Sequence, residues 1–163
     1  MSITDPVLPR MEHEAVEHVN HFENVSLNEI FKDCMKTVQT LYNNIDINVR
    51  CESLPEIHGK RTELAGLFDT LMNLMLKVSD TSSRLFLHVD CEEEDKPGTN
   101  RSGQSNKNYT IKFHSNISIN ESWKEMNIPE LEKCEQILSS HHGTFVVNHL
   151  YNGCLFSLTL PGK

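Results

Sequence analysis

The sequence predicts an α/β fold of the α+β type, a two-layer sandwich in which three helices cover one face of a mixed five-stranded sheet. The stretch from Thr62 to Asp80 places its apolar side chains at helical spacing on one face, and that face must be covered by other elements. Other segments alternate apolar and polar residues, as half-buried strands do. The last two of these flank Asn152-Gly153, a strong signal for a tight hairpin turn.

The composition limits the class of protein. With 163 residues the chain is long enough for one domain and a short appendage, and 37% hydrophobic with 23% charged residues is typical of globular proteins. The net charge of −8 argues against nucleic acid as a partner. No apolar run approaches the roughly 20 residues of a membrane-spanning helix, so we expect no membrane insertion. The five scattered cysteines form no CxxC pair, which favours free thiols and a cytoplasmic location.

The first 25 residues are predicted to be a tail and a helical linker, an N-terminal extension to a domain at residues 26–163. This segment is acidic, and its apolar residues recur at a narrow helical spacing: Leu8, Met11, Ala15, Val19 and Phe22. A narrow stripe more often packs against a partner helix than closes a core. We therefore expect it to bind a protein partner or to mediate self-association. His13, His18 and His21 are interpreted as a solvated face rather than as metal ligands.

The helices and strands of the domain follow in order. Ser26 and Glu29 form a capping box at the start of a helix that runs to about Asn44. A strand at Ile45–Glu52 and a loop at Ser53–Arg61 lead to the central helix. Strands are predicted at Arg84–Cys91 and Tyr109–His114, joined by a polar surface connection, and residues 115–128 are expected to be irregular.

The last third of the chain predicts a helix and a hairpin. Pro129 suits the first turn of the third helix, whose inward residues include His141, and Gly143 suits its end. The His141-His142 pair is interpreted as cationic side chains that favour the C-terminal helix dipole. The final hairpin is expected at Thr144–Tyr151 and Cys154–Leu160.

Several segments together resemble the catalytic ATP-binding domain of bacterial sensor histidine kinases, in the superfamily that includes gyrase and Hsp90. The resemblance spans residues 26–163. Its motifs are SLNEIF, SLPEIHGKRTEL, LFDTLMNLMLKVSD and the terminal ILSSHHGTFVVNHLYNGCLFSLTLP. The resemblance implies a site for ATP and Mg²⁺ between the central helix and the segment after the third strand.

The residues that the resemblance assigns to this site depart from the family pattern. When Lys77 is aligned with the family, the Asn that holds Mg²⁺ falls on Leu74, and a hydrocarbon cannot coordinate a metal ion. Asn73 is adjacent, but one residue rotates a helical side chain by about 100°. The family's Asp-x-Gly-x-Gly motif corresponds to Ser115-Asn116-Ile117-Ser118-Ile119, which has neither the carboxylate nor the glycines.

The phosphate-binding segment departs as well. The family's lid is shortened to about a dozen residues, and its glycine-rich end corresponds to Ile128-Pro129-Glu130-Leu131. Pro129 removes a backbone donor, and Glu130 adds a negative charge where phosphates would lie. We therefore expect a degenerate domain of two-component signalling that has no cofactor, lacks kinase activity and acts as a protein-interaction module.

Two alternatives remain open at this stage. One is a divergent histidine kinase domain that binds ATP and Mg²⁺ through Asn73, Ser115 and Asn116. The other is a domain that binds a different small ligand in the same cleft.

Overall fold

The computed structural model describes residues 21–42, 45–78, 84–95, 107–119, 121–151 and 153–162. Residues 1–20, the predicted tail and most of the helical stripe, lie outside this range. The elements in chain order are β1 (Glu23–Ser26), α1 (Leu27–Leu41), β2 (Ile47–Cys51), β3 (Glu56–Gly59), α2 (Arg61–Val78), β4 (Leu85–Asp95), β5 (Lys107–Ser115), α3 (Glu121–Met126), α4 (Ile128–Ser140), β6 (Thr144–Leu150) and β7 (Gly153–Pro161).

The main sheet has five strands in the order β2-β4-β5-β7-β6. β2 pairs in parallel with β4, and the remaining neighbours are antiparallel. The sheet is therefore mixed, and the predicted two-layer α+β fold is confirmed. The terminal hairpin is confirmed too, with Leu150 opposite Gly153 in the β6–β7 register.

One face of this sheet, the inner face, is covered by helices and holds the core. Phe31 of α1, Phe68 of α2 and Phe113 of β5 form a cluster of edge-to-face rings with centroids 5.6–6.4 Å apart. All three are buried. The opposite face, called here the outer face, is formed by the alternate residues of the same strands; these are exposed or half-buried and mostly polar, with Phe86 of β4 an exposed apolar exception. Because side chains alternate along a strand, one register fixes both faces.

The strands β4 and β5 are longer than the alternation predicts. The acidic residues 92–95, predicted to belong to a surface connection, continue the ladder until Asp95 pairs with Lys107. On β4 both faces of this extension are exposed, so residues 92–95 show no hydrophobic alternation. An ion pair between Glu93 and Lys107 joins the two strands here. Residues 96–106 of the predicted connection lie outside the described residues.

A second, two-stranded sheet was not predicted. β1 pairs antiparallel with β3, which lies within the segment Ser53–Arg61 predicted to be a loop. Each strand has only four residues, too few to show a period. Ser26, the last residue of β1, caps α1 as predicted: its Oγ accepts the N–H of Glu29 at 3.3 Å.

Two further predictions need correction. Residues 121–126, within the stretch predicted to be irregular, form the short helix α3. Phe22, predicted to end the helical stripe, is not in a helix; its ring packs against His58 and His141 with centroids 5.6 and 5.3 Å away. Residues 22–25 of the predicted N-terminal segment are therefore packed on the domain.

Candidate functional site

The predicted nucleotide site combines residues of the C-terminal half of α2 with residues at and after the end of β5. α2 is an α-helix over its described length and carries Asn73, Leu74 and Lys77, although the side chain of Lys77 is not described. Ser115 is the last residue of β5, and Asn116 follows it. The structure does not gather the described side chains into one polar cleft, because Leu74 and Ser115 are buried while Asn73 and Asn116 are exposed.

Adjacent residues of α2 have opposite surroundings. Leu74 has 0% of its surface exposed and belongs to the continuous hydrophobic core. Asn73 faces outward, and its Oδ1 accepts a hydrogen bond from the Tyr42 hydroxyl at 3.2 Å, at the end of α1. Because α2 is a regular helix here, the side chain of Asn73 points about 100° around the helix axis from that of Leu74. The residue at the position that the resemblance assigns to the Mg²⁺-holding Asn is thus part of the core.

Ser115 is held by its own backbone neighbours. Its Oγ accepts the N–H of Ile117 at 3.1 Å, a turn that starts the segment after β5. Its carbonyl oxygen lies so close to Gly153 that a methyl group on Gly153 would be 1.9 Å away. Only glycine allows this approach, which explains the Gly of the hairpin turn.

Asn116 forms hydrogen bonds with the backbone at the start of β4. Its Oδ1 accepts the N–H of Phe86 at 2.9 Å, and its Nδ2 donates to the carbonyl oxygen of Arg84 at 2.8 Å. Its backbone N–H donates to the Phe86 carbonyl at 3.3 Å. The side chain therefore provides hydrogen-bond partners for backbone groups at the start of β4, where the β4–β5 ladder ends. A nucleotide would have to displace these bonds to use the amide.

The shortened lid is filled with apolar side chains. Ile117, Ile119 and Trp123 are all at most 8% exposed and belong to the same core cluster as Leu74. The Trp123 ring lies against Phe156 of β7, with centroids 6.1 Å apart. Within the described residues, these three side chains are therefore part of the core rather than walls of a cleft.

The start of α4 offers few donors to a phosphate. The side-chain Nδ2 of Asn127, the residue before the helix, donates to the Trp123 carbonyl at 2.7 Å instead of capping α4. Pro129 has no N–H to donate. The acidic residue in the first turn is Glu130, whose carboxylate repels an anion.

One functional-looking residue has a structural role that sequence reasoning missed. His141 is 2% exposed; its Nδ1 lies 2.7 Å from the Ile137 carbonyl, and its Nε2 accepts the Lys60 N–H at 2.9 Å. A ring that donates at one nitrogen and accepts at the other is neutral. The inward position is confirmed, but the predicted cationic role at the helix end is wrong for His141. In the sequence, the position of His141 on the apolar face of this helix indicated that its side chain points inward.

The cysteines are poor nucleophiles. Burial raises the pKa of the Cys154 thiol to about 11, although a hydrogen bond with Ser115 opposes the shift. Burial also raises the pKa of the Cys51 thiol to about 11, helped by the charge of Glu52. Few thiolates are therefore present at neutral pH, and the interpretation of the described cysteines as free thiols agrees with the structure.

Solved structures of histidine kinases share this architecture. The catalytic domain of histidine kinase ThkA matches with a TM-score of 0.65 and 16% identity, over 86% of this chain and 95% of that one. The mycobacterial sensor histidine kinase MprB matches with a TM-score of 0.64 and 14% identity, over 87% and 98%. The ATP-binding domain of PrrB from Mycobacterium tuberculosis matches with a TM-score of 0.63 and 15% identity, also over 87% and 98%.

This chain therefore has the fold of the histidine kinase catalytic ATP-binding domain, and the resemblance seen in the sequence is confirmed at the level of the fold. No family model matches the chain, and no curated protein matches it in sequence. Within the described residues, none of the helices has both the length and the apolar composition needed to cross a bilayer.

Proposed function

We propose that this chain is a protein-interaction or regulatory module of two-component signalling that is built on the histidine kinase ATPase fold. In this proposal it binds no Mg²⁺–ATP and transfers no phosphate. The observation that carries the proposal is the full burial of Leu74 at the position where the resemblance implies the metal-holding Asn. Leu74 cannot coordinate Mg²⁺. The exposed Asn73 cannot do so in its place, because on a regular helix its side chain points in a different direction.

The surroundings of Leu74 support the same proposal. The polar groups after β5 already form local hydrogen bonds, since Ser115 holds Ile117 and Asn116 holds the edge of β4. The lid side chains are packed into the core. A nucleotide would have to break these hydrogen bonds and open this apolar cluster.

The proposed partner surface is the acidic N-terminal segment. Its narrow apolar stripe is of the kind that packs on another helix, in a protein partner or in a second copy of this chain. The packing of Phe22 and the pairing of β1 with β3 support this proposal, because they attach the end of the segment to the domain.

Calorimetric titration of ATP and ADP, with and without Mg²⁺, tests the loss of nucleotide binding. We expect no binding heat up to millimolar nucleotide. Micromolar, Mg²⁺-dependent binding would contradict the proposal and favour the alternative, a divergent histidine kinase domain that binds ATP.

Three variants identify the site if nucleotide binds. Under the alternative, Asn73→Ala abolishes binding, whereas Tyr42→Phe keeps it because that change only frees the Asn73 amide. Asn148→Ala is the matched control, since Asn148 is an exposed asparagine on β6 and is not one of the predicted site residues.

Sedimentation of the full chain tests the proposed partner surface for self-association. Val19→Glu places a charge in the stripe and should weaken any self-association by tenfold or more, on the order expected when a charge enters an apolar contact. Met126→Glu is the matched control, since Met126 is an exposed apolar residue of α3. Equal effects of the two changes would contradict a role for the stripe in self-association.

A further inference from the structure

The outer face of the sheet carries a cluster of metal-ligating side chains that the nucleotide site does not include. Glu52, His88 and Asp90 each offer a ligand atom, and these atoms lie within 4.8 Å of one another. His114 adjoins them: its Nε2 is 3.4 Å from Asp90 Oδ2, and its ring stacks on His88 with centroids 5.8 Å apart. Two carboxylates and one imidazole thus converge, and a second imidazole lies beside Asp90 and His88.

The register of the sheet produces this cluster. His88 and Asp90 are two residues apart on β4, so both point to the outer face. His114 of β5 is directly opposite His88. Glu52 follows β2, and its N–H donates to the Val89 carbonyl at 2.9 Å, which continues the β2–β4 ladder and brings its side chain beside Asp90. The four positions are set by backbone pairing.

Asp90 provides an independent reason to expect a ligand. Its Oδ1 is buried and has no hydrogen-bond partner among the described groups, although the side chain as a whole is 23% exposed. A buried carboxylate oxygen without a hydrogen-bond partner is energetically unfavourable. A bound cation would remove this cost, because ionised carboxylates are strong ligands of divalent metals.

The basic residues nearby do not neutralise the cluster. Lys112 is opposite Asp90 in the register, but its Nζ binds Glu92 Oε1 at 2.8 Å. Arg50 is opposite His88. When both imidazoles are neutral, the two negative charges of Glu52 and Asp90 exceed the single positive charge of Arg50. The local field therefore favours a cation.

We propose that Glu52, His88, Asp90 and His114 form a binding site for a divalent transition metal ion of the Zn²⁺ type. Imidazole with carboxylate ligands suits zinc and its neighbours and is unlike the all-oxygen sites of Mg²⁺ and Ca²⁺. Ligand atoms about 2 Å from a tetrahedral ion lie about 3.3 Å apart, so side-chain rotations must bring these atoms closer together to complete the site. The site is independent of nucleotide and of the proposed function.

Titration of the full, metal-free chain with ZnCl₂ against a chromophoric chelator tests the proposal. We expect one ion per chain at micromolar or tighter affinity. His88→Gln, His114→Gln and Asp90→Asn should each weaken binding roughly tenfold or more, as the loss of a ligand does. His149→Gln removes an exposed histidine of β6 and Cys51→Ser removes the exposed thiol next to Glu52, and neither should change the affinity.

Cobalt provides a measurement that does not depend on the variants. Co²⁺ added to the unmodified chain should broaden the imidazole NMR signals of His88 and His114 before those of His58 and His149. Zinc binding that persists unchanged in both His88→Gln and Asp90→Asn would overturn the proposal. First broadening at His13, His18 or His21 would overturn it as well, because the ion would then bind the N-terminal segment.

Discussion

The two faces of the five-stranded sheet differ in what their side chains do. On the inner face, Phe113 and Phe156 pack against the helices and are completely buried. On the outer face, the same strands present His88, Asp90 and Lys112, which pair with one another or with solvent-exposed partners. A change on the inner face must fit a close-packed volume, whereas a change on the outer face meets water.

This difference explains how a chain can keep a fold while its site chemistry changes. The predicted nucleotide site borders the inner face, and Leu74, Ile117 and Trp123 there are all members of the core. Any residue at these positions must first satisfy packing. The outer face has no such requirement, so ligands can collect there at little cost to the fold. Each of the following changes tests the contrast between the faces.

The largest effect is expected from Leu74→Asn, which restores the residue that the family resemblance predicts. The change removes buried apolar volume and buries an amide, so the free energy of unfolding should fall by about 3 kcal/mol or more. Urea denaturation measures the loss, and calorimetry should show no gain of Mg²⁺–ATP binding. Asn73→Ala is the matched control and should cost about 1 kcal/mol or less, because Asn73 is exposed. Similar losses of unfolding free energy at Leu74 and Asn73 would contradict the difference between buried and exposed positions.

A smaller effect is expected from Cys154, a buried thiol on the inner face. Its pKa is raised to about 11 in the folded chain. Below the unfolded pKa of roughly 8.5–9 the thiol is neutral in both states; above it the unfolded thiol ionises first, so stability falls as the pH rises toward 11. Between pH 8 and pH 10 the ionisation of this thiol in the unfolded chain should lower the free energy of unfolding by about 1 kcal/mol.

Cys154→Ala isolates this contribution from the other groups that titrate in alkali. Thermal or urea unfolding at pH 8, 9 and 10 should show a shallower alkaline decline for the variant than for the unmodified chain. Parallel declines would mean that the thiol is not protected from ionisation in the folded state.

The smallest effect is expected on the outer face, at the ion pair between Lys112 and Glu92. Its Nζ–Oε1 distance is 2.8 Å, and the two side chains are 26% and 59% exposed. Lys112→Met should reduce the free energy of unfolding by about 0.5 kcal/mol or less, and by less still in 0.5 M NaCl. A double-mutant cycle with Glu92→Gln measures the coupling. A salt-independent loss above 2 kcal/mol would show that this face is as constrained as the core.

Most of the local structure was predictable from the sequence. The capping box at Ser26 and the apolar spacing of α2 predicted both helices, and the terminal hairpin lies where its turn dipeptide indicated. Four-residue strands and the six-residue helix α3 were missed, because such short segments show no period. The exposed ends of β4 and β5 were missed for a related reason, since neither of their faces is apolar.

The sequence also predicted which residues of the nucleotide site depart from the family, but not what those residues do instead. That Asn116 completes the edge of β4 depends on Arg84 and Phe86, about 30 residues earlier in the chain. The hydrogen bond that keeps His141 neutral comes from Lys60, 81 residues away.

By itself the sequence determined the fold class, the order of the main helices and strands, and the apolar character of position 74. These follow from side-chain period and chemistry, which are local properties of the chain. Only the tertiary structure decided the strand order, the pairing of β1 with β3, and the convergence of Glu52, His88, Asp90 and His114. Those depend on the register between distant strands, which is fixed when the whole core packs and which no local pattern records.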